Sequence, residues 1–76
     1  MPTIEKEKIL KEFGAFIREG RLKKGLSQED VATQVDIKRT YYTLIEEGQR
    51  QVYFALALNI CNVLDLDIGK FMKQLK

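Results

Sequence analysis

A cluster of hydrogen-bonding side chains stands out near the middle of the chain. It combines two cations, two threonines and a tyrosine: Lys38, Arg39, Thr40, Tyr41 and Thr43. Arginine presents a planar fork of donors that matches guanine O6 and N7, while threonine hydroxyls bond base edges or backbone oxygens. The sequence has no histidine, and we find no nucleophile–base pair, metal-ligand cluster or glycine-rich phosphate loop. The residue types therefore favour binding over catalysis, and we expect neither enzymatic activity nor a cofactor.

A helix start is marked by several signals just before this cluster. Ser27 is a typical N-cap residue, and Asp30 follows at the spacing of a capping box. Leu26 and Val31 have the spacing of a hydrophobic staple. These signals predict a helix over Gln28–Gln34, with Val31 facing inward.

The cluster itself falls on a second helix, predicted from about Lys38 to Glu46 and ended by Gly48. Between the helices lies the turn Val35-Asp36-Ile37, in which an aspartate tolerates a left-handed backbone. Two residues are candidates for the N-cap of the second helix. Asp36 has the side chain better suited to capping, whereas Lys38 has the better spacing. Tyr42 and Ile45 should point to the core. Over about residues 28–46 this is the layout of a helix-turn-helix, which places one helix in a DNA major groove.

Three further helices are predicted around this unit. The first runs from Ile4 or Glu7 to Lys24, with a buried stripe of Ile9, Leu10, Phe13, Phe16, Ile17 and Leu22. Gly20 within it marks either a close contact with a neighbouring helix or a softer turn. The fourth runs from Val52 or Tyr53 to Leu64, with an inner stripe of Phe54, Ala57, Leu58, Cys61 and Leu64. The fifth is capped by Asp67, and no alternating strand is found.

Composition indicates a single folded domain over residues 1–76. Hydrophobic residues make up 45% of the chain, which permits a core without disulfides or metal. Cys61 is the one cysteine, so an internal disulfide and a cysteine-rich zinc site are excluded. We find no secretory leader and no long apolar run, which predicts a cytoplasmic protein with no membrane partner.

The charge is unevenly distributed along the chain. The formal net charge is +2, a mild basicity that permits nucleic-acid binding. Residues 27–51 nevertheless carry three basic and five acidic side chains: Lys38, Arg39 and Arg50 against Glu29, Asp30, Asp36, Glu46 and Glu47. Any DNA-facing surface must therefore depend on the placement of charges rather than on their sum.

Three runs of residues resemble the Cro/C1-type helix-turn-helix family, also called the Xre family, of phage repressors and bacterial regulators. They are Ile17-Arg18 through Arg21, Gly25-Leu26-Ser27-Gln28-Glu29-Asp30-Val31-Ala32, and Arg39-Thr40-Tyr41-Tyr42-Thr43-Leu44-Ile45-Glu46-Glu47-Gly48. In size and in its Arg-Thr-Tyr run the chain is also similar to restriction–modification controller proteins. The resemblance covers about residues 13–72 and implies an all-α, compact five-helix, lambda-repressor-like domain.

The resemblance also implies contacts with double-stranded DNA. The matching positions are Gln28, Lys38, Arg39, Thr40, Tyr41, Thr43, Leu44, Gln49, Arg50 and Gln51. Gln28 would anchor a phosphate at the start of its helix, and the polar loop 49–51 would contact further phosphates. Arg39 and Thr40 would read base edges, with Lys38 as a third candidate. Thr43 would contact phosphates, sugars or thymine methyls at the groove. Tyr41 would stack on sugar–phosphate or pack on the scaffold, and Leu44 would meet a thymine methyl or cover the helix junction.

An ion pair and a dimer seam complete these expectations. In the family an arginine of the first helix pairs with a glutamate near the end of the recognition helix, here Arg21 with Glu46, which would fix geometry. The last helix carries more apolar side chains than a short helix must bury: Phe71, Met72 and Leu75. We interpret them as a homodimer seam, with docking onto the domain's own core as the alternative.

The sequence thus predicts a transcriptional regulator that binds a near-palindromic operator as a homodimer. The alternative is a helical protein-interaction module, antitoxin-like or coactivator-like, that uses its apolar C-terminal surface.

Overall fold

Five helices and no strand make up the part of the chain that the computed structural model describes, residues 3–75. They are α1 (Lys6–Lys23), α2 (Gln28–Gln34), α3 (Arg39–Glu46), α4 (Phe54–Val63) and α5 (Ile68–Gln74). The predicted all-α, five-helix class is confirmed. Met1, Pro2 and Lys76, which the predicted domain also includes, lie outside the described residues. Within residues 3–75, no helix is both long and apolar enough to span a membrane.

All five helices or their ends contribute to one core of buried side chains. Its members are Phe13, Ile17, Val31, Ala32, Tyr42, Ile45, Leu56, Ala57, Ile60, Cys61, Leu64 and Phe71. The Phe71 ring of α5 packs edge-on against Phe13 at 5.4 Å between centroids and lies 5.2 Å from the Phe16 ring. Burial raises the pKa of the Cys61 thiol to about 11, so this side chain packs as a small neutral group.

The start of α2 follows the prediction. The Ser27 hydroxyl accepts a hydrogen bond from the Asp30 amide at 3.0 Å, and the Asp30 carboxylate accepts one from the Ser27 amide at 2.9 Å. This reciprocal capping box satisfies two amide donors that the first turn leaves without intrahelical partners. The helix therefore begins at the residue that the local sequence specifies.

The α2–α3 turn depends on a left-handed residue. Asp36 has a φ of 60°, and the following Ile37 amide donates to the Ala32 carbonyl at 3.0 Å. Lys38 is the N-cap of α3 but provides no side-chain cap. The spacing argument for Lys38 was therefore correct, and Asp36 serves the turn rather than the cap.

Close backbone contact between α1 and the end of α3 requires a glycine. A Cβ at Gly14 would overlap the Glu46 carbonyl and lie 2.7 Å from the Ile45 carbonyl oxygen. At Gly20 a Cβ would lie 2.6 Å from a methyl group of Leu66, in the segment before α5. Gly20 therefore marks a close contact, although with the side chain of an inter-helix segment rather than with the neighbouring helix that the sequence suggested, and Gly14 fixes how near α3 approaches α1.

The buried face of α4 differs from the predicted stripe. Leu56 and Ile60 are buried at 1% and 0% exposure, whereas Phe54 is 69% and Leu58 is 38% exposed. Helix α4 is apolar on nearly every side, so more than one set of apolar residues has the spacing of a buried helical face. Packing against the other helices decides which set is buried. The assignment of Leu22 to the buried stripe of α1 is also wrong, because Leu22 is 54% exposed.

Candidate nucleic-acid interface

A buried ion pair joins the scaffold to α3. Arg21 Nε donates to Glu46 Oε2 at 2.7 Å, and Nη2 donates to Glu46 Oε1 at 3.1 Å. The third nitrogen of the guanidinium, Nη1, donates to the Leu26 carbonyl at 2.9 Å. The implied pair is thus present in bidentate form, and its two side chains are 9% and 1% exposed. It ties α1, the α1–α2 turn and the end of α3 together.

The same carboxylate also holds α2. Gln28 Nε2 donates to Glu46 Oε1 at 3.0 Å, and the Thr43 hydroxyl donates to Gln28 Oε1 at 2.7 Å. The amide of Gln28, expected to anchor a phosphate, therefore connects α2 to α3 in the free protein. Sequence reasoning missed this bond, because Gln28 and Thr43 are separated by a turn whose geometry the local pattern leaves open.

The outward side of α3 carries the predicted base-contacting residues. Lys38, Arg39 and Thr40 are exposed, while Thr43 and Leu44 are half-buried. On the opposite side Tyr42 and Ile45 are 0% and 1% exposed. The helix is therefore anchored by its apolar side and presents a mixed polar surface to solvent.

The Arg39 guanidinium has one acidic neighbour. Its Nε lies 3.9 Å from a carboxylate oxygen of Glu29 in α2, and both side chains are more than half exposed. An exposed pair at this distance is weak and screened by salt. The fork of Arg39 therefore remains able to bond an incoming acceptor.

The segment after α3 is attached through Tyr41. The Tyr41 hydroxyl donates to the Gln51 carbonyl at 3.0 Å, and its ring is half-buried against the core. Gln49, Arg50 and Gln51 are all exposed. Tyr41 thus packs on the scaffold in the free protein and holds the polar loop beside the recognition helix.

The predicted dimer seam needs a correction. Phe71 is 6% exposed because its ring fills the domain's own core, whereas Met72 is 64% exposed. Leu75 is half-buried against that core. Phe71 therefore lies inside the domain, as the alternative interpretation held.

An apolar surface that sequence reasoning missed lies next to Met72. We call it the α4–α5 face: Phe54, Leu58, Ile68 and Met72. Ile68, one turn before Met72, lines one hollow together with Phe54 and another together with Leu58. The sequence feature that could have predicted this face is the composition of α4, which has more hydrophobic residues than a single buried stripe can contain.

Comparison with known proteins identifies the family. Residues 17–71 match the helix-turn-helix family HTH_3, a span that includes α2, the turn, α3 and α4. This chain belongs to that family. The resemblance inferred from the sequence is thereby confirmed.

Relatives of this helix-turn-helix protein include regulators and controllers. An uncharacterized HTH-type transcriptional regulator of Bacillus subtilis (strain 168), YqaF, is 38% identical over 59 residues, which is 78% of each chain. The control protein C.MunI of Mycoplasma sp is 49% identical over 41 residues, 53% of this chain and 55% of that protein.

A solved structure agrees with this grouping. The restriction-modification controller protein C.AhdI from Aeromonas hydrophila is similar with a TM-score of 0.75 and 37% identity. The match covers 82% of this chain and 94% of that one.

The electrostatics of the ion pair predict that the stability of the domain depends on pH. Burial alone would raise the pKa of Glu46, but hydrogen bonds from Arg21 and Gln28 outweigh it and hold that pKa below 4.5. The hydrogen bond to Glu46 also raises the pKa of Arg21. Glu46 is therefore protonated more readily in the unfolded chain than in the folded protein. Its ionised carboxylate contributes stability above pH 4.5, and this contribution is lost as the pH falls through the lower pKa of the folded state.

Replacing Glu46 by glutamine should remove this contribution. We expect Glu46→Gln to lower the free energy of unfolding at neutral pH by about 3–5 kcal/mol, because it leaves the buried Arg21 charge uncompensated. Urea unfolding from about pH 3 to pH 7 should also show a flatter pH dependence for the variant than for the wild type.

The matched control is Glu47→Gln, which neutralises the neighbouring exposed glutamate. It should leave both the stability and its pH dependence nearly unchanged. Equal losses in the two variants, or an unchanged acid profile in Glu46→Gln, would contradict the role of the buried pair.

Proposed function

We propose that this protein is a sequence-specific DNA-binding transcriptional regulator that acts as a homodimer on a near-palindromic operator and has no enzymatic role. One observation carries the proposal: Arg39 and Thr40 are exposed on a helix that the buried Arg21–Glu46 pair fixes to the scaffold. A rigid helix with an outward arginine fork is what base recognition in a major groove needs. Family membership and the similarity to transcriptional regulators and controller proteins support the regulatory role.

Cationic and polar groups lie on both sides of the base-reading positions. Lys38 precedes them at the cap of α3, and the exposed loop 49–51, with Arg50, follows the helix. These groups would bond phosphates and set the register of α3 in the groove. Phosphate contacts carry no sequence information by themselves. Gln28 would add a phosphate contact through the second hydrogen of its amide nitrogen, since the first is donated to Glu46.

The homodimer would form through the α4–α5 face. Phe54 and Met72 are 69% and 64% exposed, which is unusual for large apolar side chains that lie on one surface. A two-fold seam uses the same surface patch on both subunits, so one apolar face suffices for association. Pairing there would present two α3 helices to half-sites about 34–36 Å apart along the duplex.

The base-reading role of Arg39 predicts a loss of both affinity and preference. On an operator selected from random duplex DNA, Arg39→Ala should cost about 1–3 kcal/mol per half-site and relax the preference for guanine at one position. Fluorescence anisotropy on the selected duplex and on its single-base variants measures both quantities.

Arg50→Ala is the matched control for Arg39. It should weaken binding to all duplexes alike and reduce the slope of log affinity against log salt by about 1 per subunit, because it removes a phosphate contact. If Arg39→Ala left the base preference intact, or if Arg50→Ala relaxed it equally, the assignment of the two roles would be wrong.

The dimer proposal predicts that a charge on the α4–α5 face separates the subunits. Phe54→Asp should raise the dissociation constant of the dimer at least about tenfold, since burial of such a ring contributes about 1.5–3 kcal/mol. Analytical ultracentrifugation measures the constant, and thermal melting checks that the variant stays folded.

Leu22→Asp provides the control, because Leu22 is a similarly exposed apolar residue of α1, at 54%. It should leave the sedimentation profile unchanged. A wild-type protein that stays monomeric with and without operator DNA would refute the homodimer, and so would a Phe54→Asp variant that associates normally.

A further inference from the structure

A lysine of α1 packs against the segment that follows α3. Gly48, the residue after the C-cap of α3, has a left-handed φ of 73°. A Cβ on this glycine would lie 2.8 Å from both the Cα and the Cγ atom of Lys11. Because only a bare backbone can approach so closely, the side chain of Lys11 leaves α1 beside the start of the polar loop 49–51.

Further contacts along α1 fix where Lys11 lies relative to the recognition helix. Gly14, one turn after Lys11, contacts the backbone carbonyl of Glu46. Arg21, two turns further on, binds the carboxylate of the same glutamate. Helix α1 thus contacts the end of α3 and the residues after it at three successive levels. The origin of the Lys11 side chain is therefore fixed relative to both α3 and the loop.

Lys11 also differs from two other lysines of α1 in its charge environment. Lys8 and Lys23 each have a carboxylate one turn away, that of Glu12 at 3.8 Å and that of Glu19 at 3.7 Å. Lys11 is exposed, and no carboxylate of residues 3–75 lies within salt-bridge distance of its ammonium group. Its donor hydrogens are therefore available to an anion.

The neighbouring helix-turn-helix segment has few cations of its own for the DNA backbone. Residues 27–51 carry three basic and five acidic side chains, and Arg50 is the one cation of the loop 49–51. A cation brought in from α1 beside this loop adds positive charge where phosphates are expected.

We propose that Lys11 binds a backbone phosphate of the DNA strand that the loop 49–51 contacts. The proposal rests on the proposed function, since DNA supplies the phosphate. An ammonium group on a flexible stem binds a phosphate oxygen as a point charge and reads no sequence. Helix α1 thereby adds to the interface a contact from outside the helix-turn-helix, and this contact offsets part of the acidic excess of that segment.

Neutralising Lys11 tests the contact by its salt dependence. Lys11→Gln should weaken binding to the selected operator and to its single-base variants by the same factor, about fivefold per half-site at about 0.1 M salt. The slope of log affinity against log salt should fall by about 1 per subunit, because one counterion fewer is released. Fluorescence anisotropy over a salt series measures both quantities.

Two further variants separate charge from general effects on α1. Lys11→Arg keeps the cation and should retain the wild-type slope. Lys23→Gln removes an exposed lysine from the other end of the same helix and should also leave the slope unchanged. Urea unfolding checks that all three variants are folded.

Neutral methylphosphonate groups locate the phosphate and need no protein variant to show which phosphates matter. Each phosphate of the half-site is replaced in turn, symmetrically in both half-sites. At one position the replacement should weaken binding of the wild type but not of Lys11→Gln, because the two changes remove the same interaction.

The outcomes separate this inference from the function on which it rests. Sequence-specific binding with an unchanged salt slope in Lys11→Gln would overturn the contact and leave the regulator proposal standing. Methylphosphonate losses that are identical in wild type and Lys11→Gln at every position would overturn it as well. Absence of any sequence-specific binding by the wild type would overturn both proposals together.

Discussion

The orientation of the recognition helix depends on the buried, bidentate pair between Arg21 and Glu46. A buried pair contributes less net stability than its strength in isolation suggests, because both charges must be removed from water. Its value here is geometric, since a planar fork on a carboxylate fixes distance and rotation at once. Gly14 complements it by letting the α3 backbone touch α1. Together the two contacts fix where α3 lies on the scaffold.

This arrangement also explains how a segment with more acidic than basic residues can face DNA. The Glu46 charge is neutralised by Arg21 from outside the segment, and Asp30 accepts the amide hydrogen bond of the capping box. Glu29 lies beside Arg39. The two remaining carboxylates lie just before and just after α3: Asp36 and Glu47. Within α3 itself the one acidic side chain is that of Glu46, which is buried, so the exposed positions of α3 assigned to base reading carry no carboxylate, whatever the sum over the segment.

The sequence predicted well what local chemistry decides. Capping at Ser27 and the left-handed turn involve neighbours along the chain, so their patterns fix them. The family resemblance supplied the Arg21–Glu46 pair, which no local pattern could. The remaining differences depend on packing. Because α4 is apolar on nearly all sides, its periodicity is compatible with a buried Phe54. The competition of several apolar side chains for the same core space leaves Phe54 exposed. The same competition placed Phe71 against other aromatic rings in the core, where a count of apolar residues had suggested a seam.

We expect DNA to bind the surface formed by α3 and the loop after it. A titration of the ¹⁵N-labelled protein with the selected operator duplex, followed by amide chemical shifts, locates the binding surface residue by residue. The largest shifts should fall at residues 38–44 and 49–51, with the amides of the α4–α5 face little changed by DNA once the dimer has formed. Shifts concentrated on α4 and α5, or a recognition helix left unperturbed by saturating duplex, would contradict this expectation.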